Sequence, residues 1–186
     1  MRSSEHVVRI GAGKLRGRLL NVIDANGLRP TPDRVRESVF NWIGDKCKGA
    51  RALDLFAGSG AMGFEAWSRG ASRVTLVEKN PECAMQLAKE ADGLNGVEIV
   101  NDDAISYLEK ADGVFSLVFL DPPYSSDLLG KSLKVLISKN LLDNDSLIYV
   151  EMSSSSSVSV PGYACLKEQV AGKVKYAIWK KSSLLF

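Results

Sequence analysis

The sequence predicts an α/β domain built on one mostly parallel sheet with helices on both faces, and three observations lead there. From residue 50 onwards, short apolar runs alternate with helix-like stretches at the spacing of strand–helix units. A glycine-rich turn joins the first run to the first stretch. The chain closes on two β-like segments around Ala171–Gly172, which read as an antiparallel hairpin at one edge.

The strand-like runs are Arg51–Phe56, Arg73–Val77, Val97–Val100, Val114–Leu120 and Ser146–Val150. The closing pair, Tyr163–Val170 and Lys173–Lys180, brings the sheet to seven strands. Between the runs lie helix-like stretches at Ala61–Arg69, closed by Gly70, and at Pro81–Ala91, closed by Gly93. Two more follow at Ala104–Lys110 and Asp127–Ser138. Ahead of the sheet, RPTPDRVRESVFNWI reads as a helix: Thr31 can cap it, Pro32 suits its first position, and Val35, Val39, Trp42 and Ile43 share a face. Further upstream, VVRIGAGKLRGRLLNVI breaks short β-like segments with glycines and projects Lys14, Arg16 and Arg18. The serine run at 153–157 reads as a flexible connector without a function. One domain spans 1–186: a basic hairpin or extension over 1–27, a helix leading into the core over 28–45, and the core over 46–186.

Composition narrows the chemistry. No stretch reads as a signal peptide or membrane span, so a cytoplasmic protein is expected. Cys47, Cys83 and Cys165 are scattered and read as reduced structural thiols. His6 is the sole histidine, which argues against zinc sites and histidine-dependent triads; no metal is expected. Residues 1–36 carry eight basic side chains against three acidic ones, a balance of +5 that leaves −3 on the rest of a chain of net charge +2. Such a basic end suits contact with a polyanion, and charge alone fits a solvated surface equally well.

The turn after the first run, LDLFAGSGAMGFEA, places Gly58, Gly60 and Gly63 in the dinucleotide spacing between a strand and a helix. Several nucleotide-type cofactors use such a turn, and Asp54 discriminates among them. A carboxylate at the end of that strand repels a pyrophosphate and attracts a cation. S-adenosylmethionine has no phosphate and carries an ammonium and a sulfonium. Glu78, 24 residues beyond Asp54, ends the second strand and suits ribose hydroxyls. In NDDA, Asp102 or Asp103 could receive an adenine amine with the Ala104 backbone against the ring, or could instead cap the following helix. An NAD-dependent oxidoreductase remains an alternative that leaves Asp54 unexplained.

In VFLDPPYSSD the fourth run ends on Asp121, Pro122, Pro123 and Tyr124. In an open parallel sheet this carboxylate faces the crevice that holds the glycine turn. The prolines turn the chain rigidly and leave carbonyls without a local donor. The set suits an exocyclic amine on a nucleobase: Asp121 takes one hydrogen, the Pro122 carbonyl the other, and Tyr124 stacks on the ring. Asp121 is also the candidate general base. The base must be unpaired or flipped out to reach it. No cysteine lies in this loop, so the target is an amino nitrogen rather than a pyrimidine carbon.

LDLFAGSGAMGFEA followed by VFLDPPY resembles the Rossmann-like class I S-adenosylmethionine methyltransferases that modify exocyclic amines, on adenine N6 or guanine N2. GLRPTPDRVRESVFNWI, with RIGAGKLRGR and VAGKVKYAIW, is similar to the narrower RsmD family, bacterial methyltransferases of a guanine N2 in 16S small-subunit ribosomal RNA. The resemblance runs from about Arg9 to Trp179. It implies that Asp54, Phe56, Ala57, Gly58, Gly60, Glu78 and Asp103 bind the cofactor and that Asp121 to Tyr124 hold the guanine. It also implies that Arg9, Lys14, Arg16, Arg18, Arg29, Thr31, Arg34 and Arg36 meet the RNA. The implied partner is 16S ribosomal RNA in an assembled or assembling small subunit, met by a monomer. Adenine-N6 methylation of DNA or RNA is the alternative.

Overall fold

The computed structural model describes residues 6–23 and 30–182. Arg29, expected to meet RNA, lies outside the described residues. The chain opens with a hairpin of β1 (His6–Arg9) and β2 (Leu19–Val22), followed by helix α1 (Asp33–Ile43). Then come β3 (Arg51–Asp54), α2 (Ala61–Ser68), β4 (Arg73–Val77), α3 (Pro81–Glu90) and β5 (Val97–Val100). The second half runs α4 (Ala104–Lys110), β6 (Phe115–Leu120), α5 (Leu128–Ser138), β7 (Leu142–Ser153), β8 (Tyr163–Ala171) and β9 (Val174–Lys181).

The seven-stranded sheet has the order β5-β4-β3-β6-β7-β9-β8. Strands β3 to β7 are parallel, and β9 enters antiparallel between β7 and β8, as the closing hairpin predicts. After β5 the chain returns to the middle of the sheet, so β3 and β6 flank the point where strand order reverses. Loops beyond their carboxyl ends form the crevice in which such sheets bind ligands.

Alternation along the strands divides the core between two faces. Phe119, Tyr149 and Leu76 pack with Val39 and Phe40 of α1, Phe64 of α2 and Leu87 of α3. Leu53, Val118, Leu120 and Val150 pack on the other face with Leu108 of α4 and Leu136 of α5. Trp42 stacks on Tyr176 at 5.4 Å between ring centroids, which ties α1 to β9. Fully burying one large apolar side chain of this core contributes about 1.5–3 kcal/mol, so these helix–sheet contacts stabilise the fold.

Two local expectations are corrected. Thr31 does not cap α1: Pro32 occupies the N-cap position, no side chain caps there, and the Thr31 hydroxyl turns inward. Strand β7 starts at Leu142, before the expected Ser146, because Asp143-Asn144-Asp145 forms an irregularity within a strand rather than a terminating turn. The Ser146 hydroxyl holds that irregularity, accepting from the Asp143 amide and donating to the Phe115 carbonyl, each at 2.8 Å.

The basic hairpin is anchored by carboxylates on two helices. Glu65 of α2, buried, accepts from the Gly11 and Ala12 amides at 2.9 and 3.1 Å and pairs with Arg69. Glu90 of α3 pairs with Arg18 at 3.0 Å and accepts from the Asn21 amide. Gly13 has φ +81°, and a Cβ there would lie 1.9 Å from the Ser68 carbonyl oxygen, so only glycine lets the hairpin lie so close to α2.

Candidate active site

The glycine turn is held by its own acceptors. The Ala57 amide donates to the Val77 carbonyl, Gly58 to Glu78 Oε2 at 2.8 Å, and Gly60 to the Ala57 carbonyl. Gly63 donates to Asp54 Oδ2 at 3.0 Å. Pyrophosphate binding at a helix N-terminus needs free amide donors. Here those of Gly58 and Gly63 already meet carboxylates, so the turn is built against phosphate and the dinucleotide reading loses its physical basis. Gly60 has φ +77°, and a Cβ there would meet the Phe64 ring at 2.6 Å, which forces the tight turn into α2.

The acidic groups lie where the strand ends predict. Asp54 is buried at the end of β3, and burial pushes its carboxyl from 3.8 up to about 7. Glu78 follows β4 and also accepts from the Asn80 amide at 2.8 Å, so its carboxylate joins the glycine turn to the start of α3. After β5 the two aspartates separate in role. Asp103 is the N-cap of α4, accepting from the Ile105 and Ser106 amides. Asp102 pairs with Lys110 at 2.8 Å, which lowers its pKa. Ala104 is buried as the first residue of α4, and Phe56 and Ala57 lead into the turn. An adenosine with a cationic tail fits this set: acceptors follow three adjacent strands, and a carboxylate stands where a phosphate would otherwise sit.

Strand register brings the catalytic candidates together. Asp54 pairs with Phe119 on β6, and Phe119 with Tyr149 on β7. Two residues further along, Asp121, just past the end of β6, and Glu151, still within β7, lie side by side on the same face as Asp54. Burial pushes the Asp121 carboxyl well above its usual range, and the charges of Glu151 and Asp54 push the same way. Pro122 is buried while Pro123 and Tyr124 are exposed. The expectation that both proline carbonyls lack a local donor holds only for Pro122. The Pro123 carbonyl accepts from the Ser126 amide at 3.1 Å and from its hydroxyl at 2.6 Å.

Glu151 was not anticipated from the sequence. It is buried, and its Oε1 accepts from the Tyr124 hydroxyl at 2.8 Å. Its Oε2 accepts from the Tyr149 and Thr31 hydroxyls at 2.9 and 3.2 Å. The signal that could have found it is the carboxylate that follows the apolar run in SLIYVEM, although it lies inside β7 and not at its end. The serine run is also corrected. Ser153, Ser156 and Ser157 line a cavity of about 210 Å³ with Pro122, Tyr124 and Glu151, and backbone bonds from the Ser154 amide to Lys173 and from Ser156 to Ser153 hold the run in place.

The basic residues divide. Arg9, Lys14, Arg16 and Arg34 are exposed. Arg18 is half-buried against Glu90. Arg36 and Thr31 are buried and correct the expectation that they meet RNA. The Arg36 guanidinium donates to the Thr31 and Arg9 carbonyls and pairs with Asp33, and it holds the chain together at the entry to α1. Among the described residues, no group of three or more His, Cys, Asp or Glu is placed to hold a metal ion, and no helix is long and apolar enough to cross a membrane.

Comparison with known proteins matches residues 8–180 to the family model described as Conserved hypothetical protein 95. The ribosomal RNA small subunit methyltransferase D of Escherichia coli K12 is 39% identical over 180 residues, covering 95% of this chain and 91% of the relative. The Haemophilus influenzae protein of the same name is 39% identical, covering 93% of each chain. The solved structure of Escherichia coli yhhF superposes with a TM-score of 0.87 at 36% identity, covering 95% of this chain and 98% of that one.

Proposed function

The chain belongs to the Conserved hypothetical protein 95 family, the family of the small-subunit ribosomal RNA methyltransferases D, and from that premise we propose that it methylates the N2 amine of a guanine in 16S ribosomal RNA. The fold and the family imply S-adenosylmethionine as methyl donor, and the acceptors after β3, β4 and β5 fit it. The observation that carries the reading is the placement of Asp121 beside Pro122 and Tyr124, on the same sheet face as Asp54.

When bound, S-adenosylmethionine supplies an electrophilic methyl group on a cationic sulfur, whose carbon–sulfur bond breaks as a bond to the base nitrogen forms. The residues of this chain position that nitrogen. Asp121 accepts one amine hydrogen and the free Pro122 carbonyl accepts the other, which draws the nitrogen from planar towards tetrahedral and frees its lone pair. Tyr124 offers an exposed ring on which a flipped-out base lies. Orientation of this kind lowers a displacement barrier by up to about 7–11 kcal/mol. Positive charge moves onto the amine nitrogen during transfer, and the carboxylates of Asp54, Asp121 and Glu151 gather on the side where it develops. The released proton passes to Asp121, directly or through water.

A monomer is the working unit in this reading, and its substrate is an assembled or assembling small subunit. Exposed Arg9, Lys14, Arg16 and Arg34 hold the RNA backbone. The test incubates small subunits from cells lacking this gene with the protein and methyl-labelled S-adenosylmethionine, then identifies the labelled nucleoside by mass. N2-methylguanosine is expected. N6-methyladenosine would keep the loop chemistry and overturn the base assignment.

A further inference from the structure

Glu151 takes no hydrogen from the base in the chemistry above, yet three hydroxyls converge on it. Tyr149 is buried in the core and serves as a rigid post. Thr31 belongs to the segment that enters α1, and its carbonyl is gripped by Arg36, which also holds the Arg9 carbonyl of the basic hairpin. Tyr124 is the ring beside Asp121. We propose that Glu151 is a positioning residue: it fixes the ring of Tyr124 against the target base and couples that pose to the seating of the basic N-terminal segment through Thr31. The inference rests on the proposed reading for the role of Tyr124 and goes beyond it in assigning what holds the ring.

Three features support it. The Tyr124 ring is 49% exposed, so packing alone does not hold it. Two prolines precede it, and they contribute no amide to anchor the loop. Among the described residues the only side-chain hydrogen bond of Tyr124 is the one to Glu151. Burying a carboxylate is costly unless donors satisfy it. Of the donors Glu151 gathers, one is a fixed core post, one leads to the RNA-facing hairpin and one is the catalytic-loop ring. A residue that merely closed a strand would need none of this convergence. The contacts run without a gap from Arg9 through Arg36, Thr31 and Glu151 to Tyr124.

The test is a double-mutant cycle of Glu151→Leu, which removes the acceptor, and Tyr124→Phe, assayed on small subunits lacking the modification. Each single change is expected to lower kcat roughly tenfold while leaving the KM for the particle and the affinity for S-adenosylmethionine within about twofold, because a misplaced ring costs rate rather than binding. If Glu151 acts through the Tyr124 hydroxyl, the double variant is no slower than the slower single one. Additive losses, about a hundredfold in the double variant, would overturn the proposal, as would a fall in kcat that merely follows a fall in thermal stability. Should Glu151→Leu fail to fold, Tyr124→Phe decides alone: an unchanged kcat refutes the coupling. A readout free of substrate keeps this separate from the proposed function. In the unliganded protein, NMR should find the Tyr124 hydroxyl proton protected from exchange in the wild type and unprotected in Glu151→Leu. If it is equally labile in both, the tether does not exist. A label found on another base would sink the guanine assignment and leave the tether standing.

Discussion

Replacing Asp54 with asparagine should make the empty protein more stable and a poorer binder of its cofactor. Burial lifts the Asp54 carboxyl from 3.8 to about 7. The unfolded chain releases that proton near pH 4, whereas the folded chain keeps it until about pH 7. Between those values the folded state binds the extra proton, so stability falls as pH rises and the loss is complete above the folded pKa. Roughly three units at about 1.4 kcal/mol each give a loss on the order of 4 kcal/mol. Asparagine keeps an oxygen for the Gly63 amide and has no charge to bury. Its NH₂ loses water at a cost of about 1–3 kcal/mol, so the net gain at pH 8 is about 2 kcal/mol. For a domain of this size that raises Tm by roughly 4–8 °C. Urea denaturation followed by tryptophan fluorescence from pH 5 to 8 reads both effects. The wild type should lose stability across the range and Asp54→Asn should not, with the two converging at pH 5. Calorimetry should find S-adenosylmethionine bound about tenfold to a hundredfold more weakly by the variant, since a cationic ligand loses its counter-charge. A wild type with flat stability, together with an Asp54→Asn variant no more stable at pH 8, would refute the claim that this carboxylate is held charged at a cost to the fold.

Asp121→Ala should abolish methyl transfer while leaving S-adenosylmethionine affinity nearly unchanged by titration; a parallel collapse in affinity would move Asp121 into the cofactor site. Gly60→Ala combines a left-handed backbone with a Cβ 2.6 Å from the Phe64 ring and 2.7 Å from Leu87, so a loss of about 3 kcal/mol in denaturant stability is expected. Lys14→Ala and Arg16→Ala should each weaken RNA binding and reduce its salt slope by roughly 0.7–0.9, measured by filter binding across potassium concentrations. An unchanged slope would place the RNA on another face.

Most of the sheet was legible from its apolar runs, and β3, β4 and β6 are marked a second time by a carboxylate at or just past their ends, Asp54, Glu78 and Asp121. Arg73–Val77, Val97–Val100 and the helix Ala104–Lys110 appear with the boundaries expected of them. Glu151 directly follows the expected strand Ser146–Val150, but no local pattern shows the three hydroxyls it gathers from Thr31, Tyr124 and Tyr149. Arg36 shows a different limit. It shares the spacing of Val39, Phe40 and Ile43 on the buried face of α1, but its charge argued for the surface. The family resemblance implied an RNA contact, whereas the helical spacing puts it on the buried face. The role of Thr31 depends on a partner 120 positions away, which no local pattern reveals. The serine run lacks any side-chain signature, and only the register of β7 and β9 brings it to the cavity.

The docking of the basic hairpin through Glu65 and Glu90 sets a length scale for recognition. Those glutamates belong to α2 and α3, the helices that begin at the glycine turn and just after Glu78. In the proposed reading, the surface that meets the phosphates and the pocket that holds the methyl donor are therefore built on the same two rods. On that reading the protein would work as a caliper: its jaws would have a set opening, and the nucleotide modified would be whichever one stands that far from a matching run of backbone. Shortening the hairpin or inserting a residue in α2 would move the jaws, and the mark would land elsewhere on the RNA or nowhere.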